Sequence, residues 1–234
     1  MDIQKYWENI DASLEILMSN GVVKLPSIKE FGLNVLAKEI SHEMGEDTFK
    51  ALGASHQIFL DKLSIQKYLT PKLLALANNL GFQGEVSDQY HIARRVMPGN
   101  SQEMYRAHFD SHLFTLVLPI RIPTAFNEGD AGDLIYFTQA RNPPKSEVNN
   151  FLGKLYFKRF ASKKGINKFA STHTKMTEDF LDYQPLLFIG NTTLHTNKQV
   201  SLDCSGFRLT LLAHFFDPSP KYGIGKALRM LRGR

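Results

Sequence analysis

Helices in the first third of the chain, followed by short apolar strands, predict an α+β fold with an antiparallel β-core backed by a helical layer. Three observations carry that expectation. Apolar residues recur at spacings of three and four up to about residue 80. From Tyr90 the texture changes to short apolar runs separated by Pro, Gly, Asn and Asp. One amphipathic stretch, residues 146–165, interrupts those runs. The architecture expected is a double-stranded β-helix (jelly-roll) with one helical insert. It is a single domain over residues 1–234: a helical layer at 1–85, the jelly-roll core at 86–218 with its insert at about 146–165, and a basic tail at 219–234.

In chain order, Asp2 is placed to cap a helix running to about Ser19, with Ile3, Trp7, Ile10, Leu14 and Leu17 on one face and Gly21 as its stop. Residues 22–26, VVKLP, read as a short strand. Ser27 with Glu30 resembles a capping box opening a helix to about Met44. Residues 47–64 show no clear pattern, and residues 64–82 read as a helix interrupted early by Pro71 and stopped at Gly81. YHIARRVM, GDLIYFTQ, PLLFIGN and GFRLTLLAHFF then read as strands, as does the long run at residues 105–123. In the insert, Val148, Phe151, Leu152, Leu155 and Phe160 favour a helix. The last strand shows one wholly apolar face, Phe207, Leu209, Leu211, Ala213 and Phe215, suited to packing beneath the helices. Its other face carries Arg208, Thr210, Leu212, His214 and Phe216.

Composition narrows the function classes. A chain of 234 residues, 43% hydrophobic and 11% aromatic, buries a sizeable core and is not disordered. The single cysteine, Cys204, excludes an internal disulfide framework and a Cys-rich zinc site. The net charge of +5 equals the five cations after Asp217, namely Lys221, Lys226, Arg229, Arg232 and Arg234, which leaves 23 basic and 23 acidic residues elsewhere. A basic tail on a balanced body does not imply nucleic acid. The opening MDIQKYWENIDASL has no basic segment followed by an apolar run, and no stretch reaches the length of a membrane span, so a soluble cytoplasmic protein is expected.

The chemistry begins at YRAHFDSHLFTLVLPIRIP, residues 105–123. On a strand, His108 and Asp110 project to the same face because side chains alternate with period 2. An imidazole and a carboxylate projecting together make two-thirds of a 2-His-1-carboxylate set, which suits non-haem Fe(II) and leaves positions open. His195, in LLFIGNTTLHT, is placed to complete it. His112 shares the strand face, but i and i+4 lie about 13 Å apart at ~3.3 Å per residue, too far for one ion unless the strand ends at Asp110, so His112 is expected to be a pocket or surface residue. Arg208 and Thr210 lead a half-buried strand face and need partners inside. A carboxylate ligand is such a partner, because guanidinium binds it bidentately and the hydroxyl adds a bond.

In this order the elements resemble the Fe(II)/2-oxoglutarate-dependent oxygenases, and among them the prolyl-hydroxylase-like branch. The resemblance is carried by MPGNSQEMYRAHFD (97–110), AGDLIYF (131–137) and RLTLLAHFFD (208–217), and it covers roughly residues 94–218. It implies that His108, Asp110 and His195 hold iron. It also implies that Arg208 pairs with the distal carboxylate of 2-oxoglutarate, with Thr210 beside it and Tyr105 lining the same pocket. Relatives often carry a tyrosine, hydrogen-bonded to the co-substrate, where this chain has Met97; Tyr90 or Arg94 is the candidate replacement. The implied activity uses O2 to couple decarboxylation of 2-oxoglutarate to succinate with hydroxylation of a substrate. Related halogenases replace the carboxylate with a small residue to admit chloride, so Asp110 argues for oxygenation.

The alternatives are a non-catalytic jelly-roll that binds a ligand and a cupin-like metalloenzyme that does not use 2-oxoglutarate. The ligand set weighs against the first, and Arg208 with Thr210 against the second. His214 and His91 are expected to be structural, and His42, His56 and His173 have no partner signal. Lys154, Lys158, Arg159, Lys163, Lys164 and Lys168 form a solvated face of the insert or a lid attracting an anionic substrate. The expected substrate is a small molecule or glycan. The tail, with Ile224, Leu228 and Leu231 among cations, offers a peripheral membrane contact as its minor reading.

Overall fold

The structure, a computed structural model, describes residues 2–218 except 52–53, 85, 87–88, 102–103, 126, 128–129 and 145–146, and only the backbone at 50, 51, 147, 148, 151 and 154. The tail, with Ile224, Leu228 and Leu231, lies outside the described residues, as do Ser146 and the side chains of Val148, Phe151 and Lys154.

The N-terminal helical stretch is broken where one helix was expected. Asp2 caps α1 (Ile3–Tyr6) by accepting from Gln4 N at 2.9 Å, and α2 (Ile10–Asn20) ends at Gly21, whose φ of 78° needs no Cβ. Between them the chain turns so that the Trp7 indole reaches the carbonyl of Leu63 at 2.8 Å inside the core. That tertiary bond overrides the helical period.

Strand β1 (Val22–Lys24) follows. The helix expected to open at Ser27 does not: the Ser27 hydroxyl donates to Asp182 O at 2.6 Å and accepts from Lys29 N at 3.3 Å, and the single turn at Lys29–Phe31 ends at Gly32 with φ 76°. Only then does α3 (Leu33–Met44) begin. The patternless stretch holds β2 (Phe49–Ala51) and α4 (Ala54–Lys62). Pro71 sits in the first turn of α6 (Thr70–Asn79), after α5 (Ile65–Tyr68), where its missing N–H costs nothing.

The β-elements are β3 (Gln89–Val96), β4 (Phe114–Arg121), β5 (Leu134–Phe137), β6 (Met176–Glu178), β7 (Leu186–Ile189), β8 (Leu194–Asn197) and β9 (Arg208–Phe215). They pair antiparallel in a six-stranded sheet, β1-β7-β4-β9-β3-β2, and a three-stranded sheet, β6-β5-β8. Between β5 and β6 run α7 (Glu147–Lys158) and α8 (Lys163–Ala170), two helices where the apolar pattern showed one.

Alternation on each strand sorts the side chains into layers. Leu209, Leu211, Ala213 and Phe215 join the main core with residues of the N-terminal helices, as the apolar face of β9 requires. Val117, Leu186 and Phe188 of the large sheet meet Leu134 and Tyr136 of the small one. Ile135, Phe137 and Leu194, on the small sheet's other face, pack on Phe160, Ile166 and Phe169 of the α7–α8 region. Phe216 does not continue the polar face of β9. Its φ of 59° turns it into the main core. Among the described residues, no helix is long and apolar enough to cross a membrane.

Candidate active site

His108 and His195 exchange both backbone hydrogen bonds, at 3.1 Å each, in an isolated antiparallel bridge on the edge of the small sheet. Their rings therefore emerge side by side, with centroids 4.3 Å apart. The strand does not continue through Asp110: the chain bends at residues 111–113 and β4 starts at Phe114, so residues 105–123 are not one strand. Asp110 N instead donates to Gly190 O at 3.1 Å, while Gly190 N donates to Leu113 O at 2.8 Å. The bend takes His112 away from the cluster and sets it among the near-parallel rings of Tyr90 and His214.

The donor set is ordered for a metal. His108 Nδ1 lies 2.7 Å from Arg106 O, and His195 Nδ1 lies 3.2 Å from Thr193 O. A carbonyl only accepts, so each Nδ1 carries the proton and each Nε2 presents a lone pair. Both Nε2 atoms lie 3.7 Å from Asp110 Oδ1, and one ligand atom from each residue falls within 4.8 Å of the others. Two imidazole nitrogens and one carboxylate oxygen, converging without a fourth protein ligand among the described residues, fit non-haem Fe(II). The side chain of His108 is 50% exposed while those of Asp110 and His195 are buried, so the cluster opens toward solvent on the His108 side.

Local charge keeps these groups ready to bind. Burial by itself raises the Asp110 carboxyl, but His195, His214, His108 and the Thr115 hydroxyl more than offset it and hold it well below the usual carboxylate range. The protein packed around His108, and then the charge of His195, push that imidazole down to about 4 despite Asp110. It is neutral near pH 7, as a ligand must be.

Arg208 is buried on β9, and its Nη1 has no hydrogen-bond partner among the described residues. Burial, then the nearby charge of Arg94, lower its pKa to about 9, against the opposing pull of Asp133. Phe180 lies under the guanidinium at 5.3 Å. A buried guanidinium nitrogen without an acceptor matches an arriving carboxylate. Thr210 and His214 share its strand face, and register sets Arg94 opposite Thr210 and Tyr90 opposite His214. The structure thus brings Arg208, Thr210, Tyr90 and Arg94 onto one face. Tyr105 is not with them. With φ 51° it leaves the extended backbone and packs with Ala107 and Phe109 in the cluster behind the small sheet. Met97 is exposed.

Thr115 and Gly190 were not singled out by the sequence, and His214 was expected to be structural only. Thr115 donates to Asp110 Oδ2 at 2.6 Å, His214 Nδ1 lies 3.1 Å from Thr115 Oγ1, and a Cβ on Gly190 would stand 2.8 Å from that same oxygen. The signal for Thr115 was a lone hydroxyl in the apolar run FTLVLPI, and for His214 its parity with Arg208. Nothing local marked Gly190.

No family model matches the sequence, and no curated protein matches it. Solved structures do. A prolyl 4-hydroxylase of Phytophthora capsici superposes with a TM-score of 0.57 at 15% identity, over 95% of this chain and 68% of that one. The non-heme alpha ketoglutarate dependent carbocyclase SnoK of nogalamycin biosynthesis gives 0.56 at 13%, over 91% and 86%. A prolyl-4-hydroxylase of Pseudomonas putida gives 0.52 at 13%, over 88% and 97%. Resemblance in sequence and likeness in three dimensions agree, and the fold of this chain is the one these prolyl 4-hydroxylases and this alpha ketoglutarate dependent enzyme share.

Proposed function

We propose that the chain is an Fe(II)- and 2-oxoglutarate-dependent dioxygenase with a double-stranded β-helix core. The observation that carries this is the convergence of His108 Nε2, His195 Nε2 and Asp110 Oδ1, with both Nδ1 protons committed to backbone carbonyls. Bound there with 2-oxoglutarate and O2, iron supplies the oxidising chemistry that couples formation of succinate to hydroxylation of a C–H bond. The protein's part is positional. His108, Asp110 and His195 hold the ion and leave coordination positions open. Arg208, with Thr210 beside it, takes the distal carboxylate of the co-substrate. Arg94 and Tyr90, opposite Thr210 and His214 on the same face, are the candidates for the role of the tyrosine that relatives carry where this chain has Met97. Substrate enters on the side where His108 is exposed. The cations of the insert, Lys158, Arg159, Lys163, Lys164 and Lys168, favour an anionic small molecule or glycan.

The test is anaerobic addition of Fe(II) and 2-oxoglutarate to the metal-free protein. The expected result is a weak visible charge-transfer band that needs both components and is lost in Asp110→Ala. Metal uptake without a band points instead to a cupin-like metalloenzyme using no 2-oxoglutarate. Uptake of neither leaves a non-catalytic ligand-binding jelly-roll.

A further inference from the structure

We propose that Thr115 and His214 are positioning residues that hold Asp110 to the metal through a single oxygen; this rests on the metal-centre reading above. The two oxygens of Asp110 face different ways. Oδ1 meets both imidazole Nε2 atoms at 3.7 Å, whereas Oδ2 receives the Thr115 hydroxyl at 2.6 Å and lies 3.7 Å from His214 Nδ1. Donor and acceptor capacity leaves one assignment. An ionised carboxylate only accepts, so the Thr115 proton points at Oδ2. Thr115 Oγ1 then has only lone pairs to offer, and His214 Nδ1, 3.1 Å away, carries the proton that it accepts. A directed chain runs from His214 Nδ1–H through Thr115 Oγ1–H to Asp110 Oδ2.

The fold builds this chain. Thr115 is 1% exposed in a strand otherwise apolar on both faces up to Pro119, where a hydroxyl is costly without partners. Register pairs Thr115 directly with His214 across β4 and β9, so strand pairing sets their separation. Tyr90 and His112 stack against His214 with interplanar angles of 13° and 25°, fixing the plane of its ring. Gly190 passes so close that any side chain there would displace Thr115 Oγ1 or the Cβ of Asp110. With Oδ2 engaged from behind, Asp110 presents only Oδ1, and the position that a two-oxygen carboxylate would take stays free for another ligand.

The experiment is anaerobic titration of the metal-free full chain with Co(II), read by calorimetry and by the visible ligand-field spectrum, on the wild type, Thr115→Val, Thr115→Ser and His214→Phe. Loss of such a supporting bond is expected to weaken Co(II) binding by Thr115→Val about 10- to 100-fold and to alter its spectrum. Thr115→Ser, which keeps the hydroxyl, restores both, and His214→Phe moves both in the Val direction. A purely structural role would lower the melting temperature of the metal-free variants and leave the Co(II) affinity and spectrum of the folded protein alone, which overturns the proposal. If Thr115→Val does not fold, His214→Phe decides on the same two readouts. A wild type that takes up neither Co(II) nor Fe(II) overturns the metal-centre reading itself, a result distinct from a wild type that binds and variants that bind equally well.

Discussion

At the scale of the residue, Asp110 is buried, which by itself favours the neutral acid, yet three histidines and a hydroxyl surround it and keep it ionised. Asp110→Ala is therefore expected to remove divalent-metal uptake while the far-UV circular dichroism of the protein stays as it was, because the carboxylate serves the cluster and not the core. Arg208 poses the opposite problem: a buried cation without a full set of acceptors. Hydrogen bonds to charged groups contribute about 1.5–3 kcal/mol, so Arg208→Gln should weaken 2-oxoglutarate binding roughly 10- to 100-fold while metal affinity holds. Titrating the charge-transfer band against 2-oxoglutarate at saturating Fe(II) measures it, and an unchanged midpoint removes Arg208 from this role. Gly190 acts by lacking atoms. A Cβ there would stand 2.9 Å from the carbonyl of His112 and 3.0 Å from the Cβ of Asp110, and backbone yields little. Overpacking of that kind costs about 1–3 kcal/mol, so Gly190→Ala should lower the urea midpoint and weaken metal binding together.

At the scale of the element, the small sheet and the helices behind it are tied to the candidate ligands through Arg141. Its Nε donates to Asn191 O at 2.7 Å, in the turn that leads to His195, and its Nη2 donates to Asn150 Oδ1 on α7 at 3.0 Å. The guanidinium also lies 3.9 Å from the ring centroid of Phe109, between the candidate ligands His108 and Asp110. A lysine offers one point charge where the fork serves two acceptors. Arg141→Lys should therefore destabilise the protein by about 1–3 kcal/mol in urea and weaken Co(II) binding, although Arg141 touches no ligand side chain. Elements with local causes were legible in the sequence. Gly21 and Gly81 stop helices, Pro71 marks the interruption between α5 and α6, and the parity of β9 separates Arg208 and Thr210 from the face that meets the helices. The bend at 111–113 was not legible, because apolar residues continue through it and its cause is Gly190, far off in sequence. The break at Trp7 has the same origin, in a bond to Leu63. The turn at Tyr105 was not legible either: its φ of 51° takes it behind the small sheet, and no glycine or asparagine marks the position.

At the scale of the whole molecule, two sheets lie between two helical layers, and the candidate site occupies the space where the sheets face each other. That arrangement buries histidines, and buried imidazoles make a metal-free protein sensitive to acid. His91 packs edge-on against Phe215 at 5.8 Å, and its Nδ1 has no hydrogen-bond partner among the described residues. Burial, then the charges of His214 and His56, lower it to about 4. In the unfolded chain a histidine takes up its proton near pH 6.5. Between those values the unfolded state binds more protons than the folded one, so stability rises with pH across the window and is lost as pH falls from 6.5 toward 4. Melting the metal-free protein at pH 7, 5.5 and 4.5 should show the temperature falling steadily. His91→Phe keeps the ring packing and removes one of the titrating groups, so its melting temperature should fall by less over the same interval. Parallel curves would mean that the acid sensitivity resides in the metal site and not in the helical face of the large sheet. Saturating Fe(II) should then flatten the wild-type curve near pH 6, because a bound ion holds His108 and His195 in the neutral form that the folded protein already favours for His108.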